Sequence, residues 1–313
     1  MNQASLHHLM RAVVHRTKAG SPPNVRRTLR QAIALARQLA GEFRTYGENI
    51  PASRLELAIL TGTLSLIDDI IDWAVLGTTL TNRLKPAMIE SYLQGGKVAD
   101  RQLRGQGISI RFDVMNIRAE QWAERFSGQL ITEITTDQRQ GVSDLIARAQ
   151  REGRTPHETA RDIRQSIGLQ SRQIAARDKY RATLVDAETL PDKVNRLVDK
   201  YEQALLRYRS ETIARNELLR STHEGQLQLV REGLGSGLIN ATRTSRRWIV
   251  TPDDRLDTEL CLPMSEPDQG DVPADAPWIL PDGREVWIPQ DAHVGCRCSF
   301  SLFTKHAGET NTE

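Results

Sequence analysis

The chain has 313 residues, 39% hydrophobic, 26% charged and 5% aromatic, with a formal net charge of +2. That composition excludes a disordered chain, and so small a net charge excludes any argument for nucleic-acid binding from bulk charge alone. A core this poor in aromatics must be built from Leu, Ile, Val and Ala, which suits helices packed on helices in one large or two modest domains.

Residues 1–20 read as a mobile basic tail. MNQASLHHLMRAVVHR contains no continuous apolar run, so no signal peptide is expected. In SPPNVRRTLRQAIALARQLAGEF, Val25, Leu29, Ile33, Ala36, Leu39 and Phe43 recur at helical spacing behind two prolines, which predicts a first helix. SRLELAILTGTLSLIDDIIDWAVLG predicts a second, more buried helix ending near Gly77. Its most apolar stretch, 57–67, is bounded by Glu56 and by Asp68 and Asp69. Crossing a bilayer takes about 20 apolar residues, so a buried helix and no membrane partner are expected. The glycines of LQGGKVADRQLRGQGIS mark a boundary that closes an N-terminal helical region at 21–110.

A second helical region is predicted over 111–240. Thr155-Pro156-His157-Glu158 is a capping box, which marks a helix start, and Gly168 marks its stop. After LPDK a long amphipathic run carries Val194, Leu197, Val198, Tyr201, Leu205, Tyr208, Ile213, Leu218 and Leu219, and GLGSGLIN breaks it. The period then changes. RRWIVT reads as a strand, and WILPDGREVWIP as two short strands joined by a Pro-Asp-Gly hairpin turn. Trp248, Trp278 and Trp287 are expected to form its core. The fold class is therefore mainly α: an elongated helical body with a small C-terminal α+β module over 241–313. Charge is segregated as well. Basic residues dominate from Arg11 to Arg44, whereas eleven acidic residues face only Arg255 and Arg284 between Asp253 and Asp291. This implies either two surfaces with different partners or two ordinary solvated faces.

The three cysteines are Cys261, Cys296 and Cys298. With no export signal they point to a reducing compartment, where thiols or metal ligation prevail over disulfides. In extended chain, residues i and i+2 project to the same side. Cys296 and Cys298 can then face one point, His293 can reach it from the preceding turn, and Cys261 can complete four ligands. Thiolate and imidazole in tetrahedral array suit zinc. Cys-x-Cys plus one remote Cys is an unusual zinc spacing, however. Structural thiols, or a Cys261 disulfide formed only on oxidation, stand beside a zinc site as readings.

Other motifs are thinner. DDIID at 68–72 resembles the diphosphate-binding DDxxD of isoprenoid synthases, with Asp68 and Asp72 one turn apart and able to share Mg²⁺. A facing acidic helix is lacking, because DDRLD at 253–257 follows a proline in the β-like region. HETAR and HEGQL lack the second histidine of a zinc protease, GLGSG lacks the lysine of a phosphate loop, and no G-x-S-x-G is present. No enzyme is expected from these motifs, with a Mg²⁺-dependent isoprenoid-diphosphate enzyme as the rival. DNA binding through the basic N-terminal arm is a further alternative.

One ordered set of segments carries a resemblance: ARDIRQSIGL, IARNELLRSTHEG, RRWIVTPDDRLDTELC, LPDGREV and HVGCRC. Residues 150–302 thereby resemble the phage head morphogenesis family, the Mu F-like minor head proteins. Ala214, Arg215 and Glu217 match its helical motif, and Trp248, Asp254 and Arg255 its strand-and-turn motif. His293, Cys296, Arg297 and Cys298 match its terminal His-x-x-Cys-Arg-Cys. The sequence departs from the pattern at Asn216, where Thr is usual, at His223, where Asn is usual, and at Met264, where many relatives have a second Cys. The resemblance implies a non-enzymatic virion protein in the capsid interior near the portal, present in the host cytoplasm during assembly. Its partners would be the portal protein, the scaffold or major capsid protein, and phage DNA, with roles in assembly, packaging or DNA delivery. Some relatives carry a toxin domain after the terminal motif. None is expected in the fifteen residues that follow Cys298.

Overall fold

The computed structural model describes residues 23–63, 65–110, 117–253 and 256–304. The basic tail expected over 1–20 lies outside them, as do Asp254 and Arg255. The chain is mainly helical, with a small C-terminal sheet region. The helices are α1 (Pro23–Asn49), α2 (Ala52–Leu60), α3 (Ser65–Ile70), α4 (Trp73–Arg104), α5 (Ile117–Arg151), α6 (Pro156–Ser166), α7 (Ser171–Asp186), α8 (Pro191–Gly235) and the single turn α9 (Pro267–Gly270). The strands are β1 (Thr244–Ile249), β2 (Asp271–Pro273), β3 (Trp278–Ile279), β4 (Glu285–Val286) and β5 (Ser299–Thr304).

Local signals mark several elements where expected. The Thr155–Glu158 capping box forms and opens α6, and Gly168 follows its end at a φ of 92°. β3 and β4 pair antiparallel around a turn in which Gly283 takes a φ of 85°. β1 pairs antiparallel with both β2 and β5 in the order β2-β1-β5. Along β1, Thr244, Arg246 and Trp248 face inward and Arg247 outward, where it pairs with its cross-strand partner Asp271 at 2.6 Å.

Three expectations are corrected. The single helix predicted from 53 to 77 is broken twice. Gly62, at a φ of 69°, ends α2, and α3 stops at Ile70 before a turn into α4. The glycine-rich stretch 93–109 marks a break only at its end: α4 runs through Gly95 and Gly96 to Arg104, and the chain turns over 105–107. Ile33 is 52% exposed. The buried stripe of α1 passes instead through Val25, Thr28, Leu35, Ala36, Leu39 and Phe43, which keeps closer to 3.6 residues per turn.

The chain divides into two compact units, neither contiguous. The first comprises the described residues of Met1–Ala32, Ala87–Ala123 and Arg215–Glu313, and the second Ile33–Pro86 and Glu124–Ala214. This is a different division from the linear one at 110 and 240. The C-terminal module does not close a core by itself. Its Trp248, Trp278, Phe300 and Leu302 form one apolar cluster with Ala99 and Leu103 of α4 and with Leu227 and Val230 of α8. The second unit centres on buried ions. Arg177, fully buried, meets Asp178 at 2.8 Å and Glu202 at 3.7 Å, while Asp178 also binds Arg148 at 2.6 Å. Burial pushes the Glu202 carboxyl up to about 7.

In the first unit α4 and α8 meet backbone to backbone. A Cβ on Gly95 would lie 1.7 Å from the Thr222 carbonyl oxygen, and one on Gly225 would lie 1.9 Å from that of Tyr92. Glycine inside a helix costs about 1 kcal/mol against alanine, and here that cost permits the approach. Gly41 of α1, with nothing within 4 Å of its Cβ position, supplies the contrast. Gly225→Ala should lower stability by about 2 kcal/mol or more, since carbonyl backbone cannot yield as a side chain can. Gly41→Ala should raise it by about 0.5–1 kcal/mol. Thermal melts of the two variants beside the parent check both signs.

Candidate metal centre

The three cysteines, remote in sequence, come together in the first unit. Cys261 follows a turn in which the Asp257 carboxylate accepts the backbone N–H groups of Glu259 at 2.9 Å and Leu260 at 2.8 Å. Cys296 and Cys298 lie in the extended segment that enters β5, not within the strand. Gly295, at a φ of 90°, turns the chain just before them, and Cys296 N–H closes that turn on the His293 carbonyl at 3.2 Å.

All three thiols are free and buried, and their Sγ atoms lie within 4.8 Å of one another. Cys261 and Cys296 are 3.8 Å apart, far beyond the roughly 2.05 Å of a disulfide bond. A metal ion could be held by all three. Among the described residues no other group of three or more His, Cys, Asp or Glu ligand atoms converges in this way. Their electrostatics are uneven. Cys298 is lowered to about 3 by hydrogen bonds from the Cys261 and Cys296 thiols, which are themselves pushed up. The buried Trp248 indole N–H makes no conventional hydrogen bond, yet it adds to the lowering of Cys298. One sulfur of the set is thus poised as thiolate, the form that ligates metal.

His293 occupies a flank of this set. Its Nε2 is 3.1 Å from Cys261 Sγ, but it stands outside the mutually close trio. Its Nδ1 is 3.2 Å from the Val294 carbonyl. An Nδ1–H donated there leaves the Nε2 lone pair facing the sulfur, the tautomer that a ligand histidine needs.

Around the cluster stands a shell that sequence reasoning missed. On α8, Asn216, Arg220 and His223 follow one another at i, i+4 and i+7 and so share a face. Asn216 Oδ1 accepts the Gly295 N–H at 3.0 Å, and Arg220 pairs with Asp291 at 2.9 Å. The His223 ring meets Gln290 Oε1 through Nδ1, and Gln290 donates from Nε2 to the Cys298 carbonyl at 3.0 Å. Thr251 donates to the Arg297 carbonyl at 2.8 Å, and Arg297 pairs with the nearly inaccessible carboxylate of Asp253. The polar i, i+4, i+7 spacing on α8 was the available signal.

The remaining predicted positions separate. Ala214 and Arg215 are buried and Glu217 is half-buried on α8. Trp248 and Trp278 are core, their rings 5.3 Å apart and edge to face, whereas Trp287 is 36% exposed. Arg246 is wholly buried over Trp278 at 4.3 Å and donates to the Trp287 carbonyl at 2.8 Å and to that of Ala276. In DDIID, both Asp68 and Asp72 are engaged with the start of α4. Asp68 accepts the Trp73 indole N–H at 2.6 Å. Asp72 lies beyond α3 and accepts Val75 N–H at 3.0 Å as the cap of α4.

No family model, no curated protein and no solved structure matches the chain. Among the described residues no helix is long and apolar enough to cross a membrane.

Burial lowers His223 from 6.5 to about 4, so the folded protein keeps this ring neutral where the unfolded chain protonates it. Above 6.5 both states are neutral and nothing is lost. As pH falls from 6.5 towards 4 the unfolded state gains the proton, and stability drops by up to about 3 kcal/mol. His223→Asn removes the titrating group. Its denaturation midpoint should fall less steeply than the parent's across that window, measured by urea titration at several pH values.

Proposed function

We propose that the chain is a non-enzymatic minor head protein of a tailed phage, associated with the portal inside the capsid, with a C-terminal module tied by zinc. The observation that carries this reading is convergence. The segments of the resemblance that hold Asn216 and His223, Trp248, Cys261, and His293 to Cys298 are scattered over some eighty residues of sequence. In the fold they surround one cluster of thiols. A shared structural centre explains why such a set of segments would occur together. At DDIID, Asp68 and Asp72 each hold a group of the first turn of α4, which supports reading these carboxylates as structural.

Zinc suits the donor set. A tetrahedral site with metal–sulfur bonds of about 2.3 Å has edges of about 3.8 Å. The Cys261–Cys296 separation is 3.8 Å. Cys261, Cys296 and Cys298 would supply three thiolates and His293 the fourth ligand. Zinc would supply no reaction there. It would lock the turn at Gly295 to the turn at Cys261 and neutralise thiolate charge in a buried place. The shell from α8 would orient the ligands, as outer-shell partners do in structural metal sites.

Protein purified without chelator should contain about one equivalent of zinc per chain, and Cys296→Ser should bind less than half of that and melt at a lower temperature. Full stoichiometry in Cys296→Ser would count against the site. For the assembly role, purified phage heads should contain the chain, and cross-linking in procapsids should join it to the portal protein. Heads that lack it throughout assembly would refute the placement, whatever the metal content.

A further inference from the structure

We propose that a second site, the groove between the first turns of α1 and the C-terminal half of α4, binds the phosphodiester backbone of duplex DNA. The groove has a volume of about 500 Å³, and Arg27, Arg30, Lys97 and Arg101 line it. It belongs wholly to the first unit. Thr28 and Thr222, also in its lining, are buried and share a hydroxyl–hydroxyl hydrogen bond of 3.2 Å, which fixes α1 to α8 beneath it.

The four cations are exposed, and among the described residues none is in an ion pair. Arg27 and Arg30 are three apart on α1, and Lys97 and Arg101 four apart on α4, so each pair projects from one helix face. Like charges at that spacing destabilise a helix. Their clustering without a counter-charge is therefore unfavourable in the free protein and relieved by an anion. The one acid in the lining, Asp100, is engaged by Arg104 at 2.8 Å. Glu90, one turn before Gln94 on α4, is held by the side-chain amides of Gln31 at 2.9 Å and Gln94 at 3.2 Å. Along α1, Arg26 and Arg37 add two more exposed cations, and no Asp or Glu precedes Glu42 on that helix.

The occupant follows from what lines the groove. Guanidinium forks match phosphate oxygens bidentately. No aromatic side chain lines the groove, so it offers no platform for stacking unpaired bases. Duplex DNA presents one charge per about 1.7 Å of axis, and contacts confined to phosphates carry no sequence information. A duplex bound without sequence preference is the ligand that uses every one of these features. The argument needs only the groove and is independent of the assembly role.

The test is fluorescence anisotropy of the full chain with a labelled duplex of mixed sequence over a range of salt. Four phosphate contacts give a slope of log K against log salt of about −3.6, or roughly a 100-fold loss between about 50 and 200 mM. The variant R27Q/R30Q/K97Q/R101Q should be shallower by about 3–4. The charge-matched control K179Q/R196Q/K200Q/R207Q should keep the parent's slope, with melts showing both variants folded. An unchanged slope in the groove variant, or equal loss in the control, overturns the proposal. So does tighter binding of a single-stranded oligonucleotide of the same length. Displacement of the duplex by polyglutamate at matched charge would assign the groove to an acidic protein surface and overturn it too.

Discussion

Two helix backbones touch where Gly95 of α4 meets Thr222 of α8 and Gly225 of α8 meets Tyr92 of α4, and the first unit is organised about that crossing. No side chain separates the helices there, so one backbone packs directly on the other. Both candidate sites use the same turn of α8. Thr222 reaches α1 through Thr28 beneath the basic groove, while its neighbour His223 reaches Gln290 beside the thiols. Moving α8 outward by the width of one methyl group would disturb both sets of contacts. Its glycines are thus a packing constraint before they are anything else.

The module carrying the thiols explains why a tie is useful. Its strands are short, β3 and β4 having two residues each. Such strands contribute few ladder hydrogen bonds, and a hairpin of this size is not stable alone. The aromatic group of Trp248, Trp278 and Phe300 supplies apolar contact, but much of its cover comes from α4 and α8. Buried Arg246, lowered to about 10 by desolvation, adds a charge met by carbonyl oxygens and ring faces. Such a cation is costly unless its whole cage is in place. In the proposed reading, a metal ion held by the three thiols would tie the turn at Cys261 to the turn at Gly295.

How much of this could be read beforehand depended on range. The capping box at Thr155 and the hairpin at Gly283 each act within four residues, and both were legible because their partners are adjacent in sequence. Mainly helical architecture with a small C-terminal sheet was legible from the change of period after Gly235. The convergence of Cys296 with Cys298 was legible from the two-residue repeat of extended chain, although the segment is not a strand. What failed was long-range. Gly95 was grouped with Gly105 and Gly107, where α4 does end, because a glycine that admits another helix looks, in one dimension, like a glycine that ends one. The break at Gly62 was hidden inside an apolar run. Asn216 shared the polar spacing of α8 but nothing named its partner, and Gln290 had no signal of its own, since their contacts with Gly295 and Cys298 are created by folding.

Charge segregation along the chain takes on a definite meaning in the fold. Several acids of the C-terminal stretch are neutralised nearby: Asp253 by Arg297, Asp271 by Arg247, Asp282 by Arg284 and Asp291 by Arg220. Glu259, Glu266, Asp268, Asp275 and Glu285 remain exposed. At the other end of the sequence the cations of the groove have no such partners among the described residues. Both ends belong to the same unit, yet they do not satisfy each other. A chain that could have paired its basic and acidic ends, and instead neutralises only part of one, keeps a cationic surface and an acidic one within a single unit. A polyanion is drawn to the first and repelled by the second, so its orientation on the unit is set by charge before any short-range contact forms.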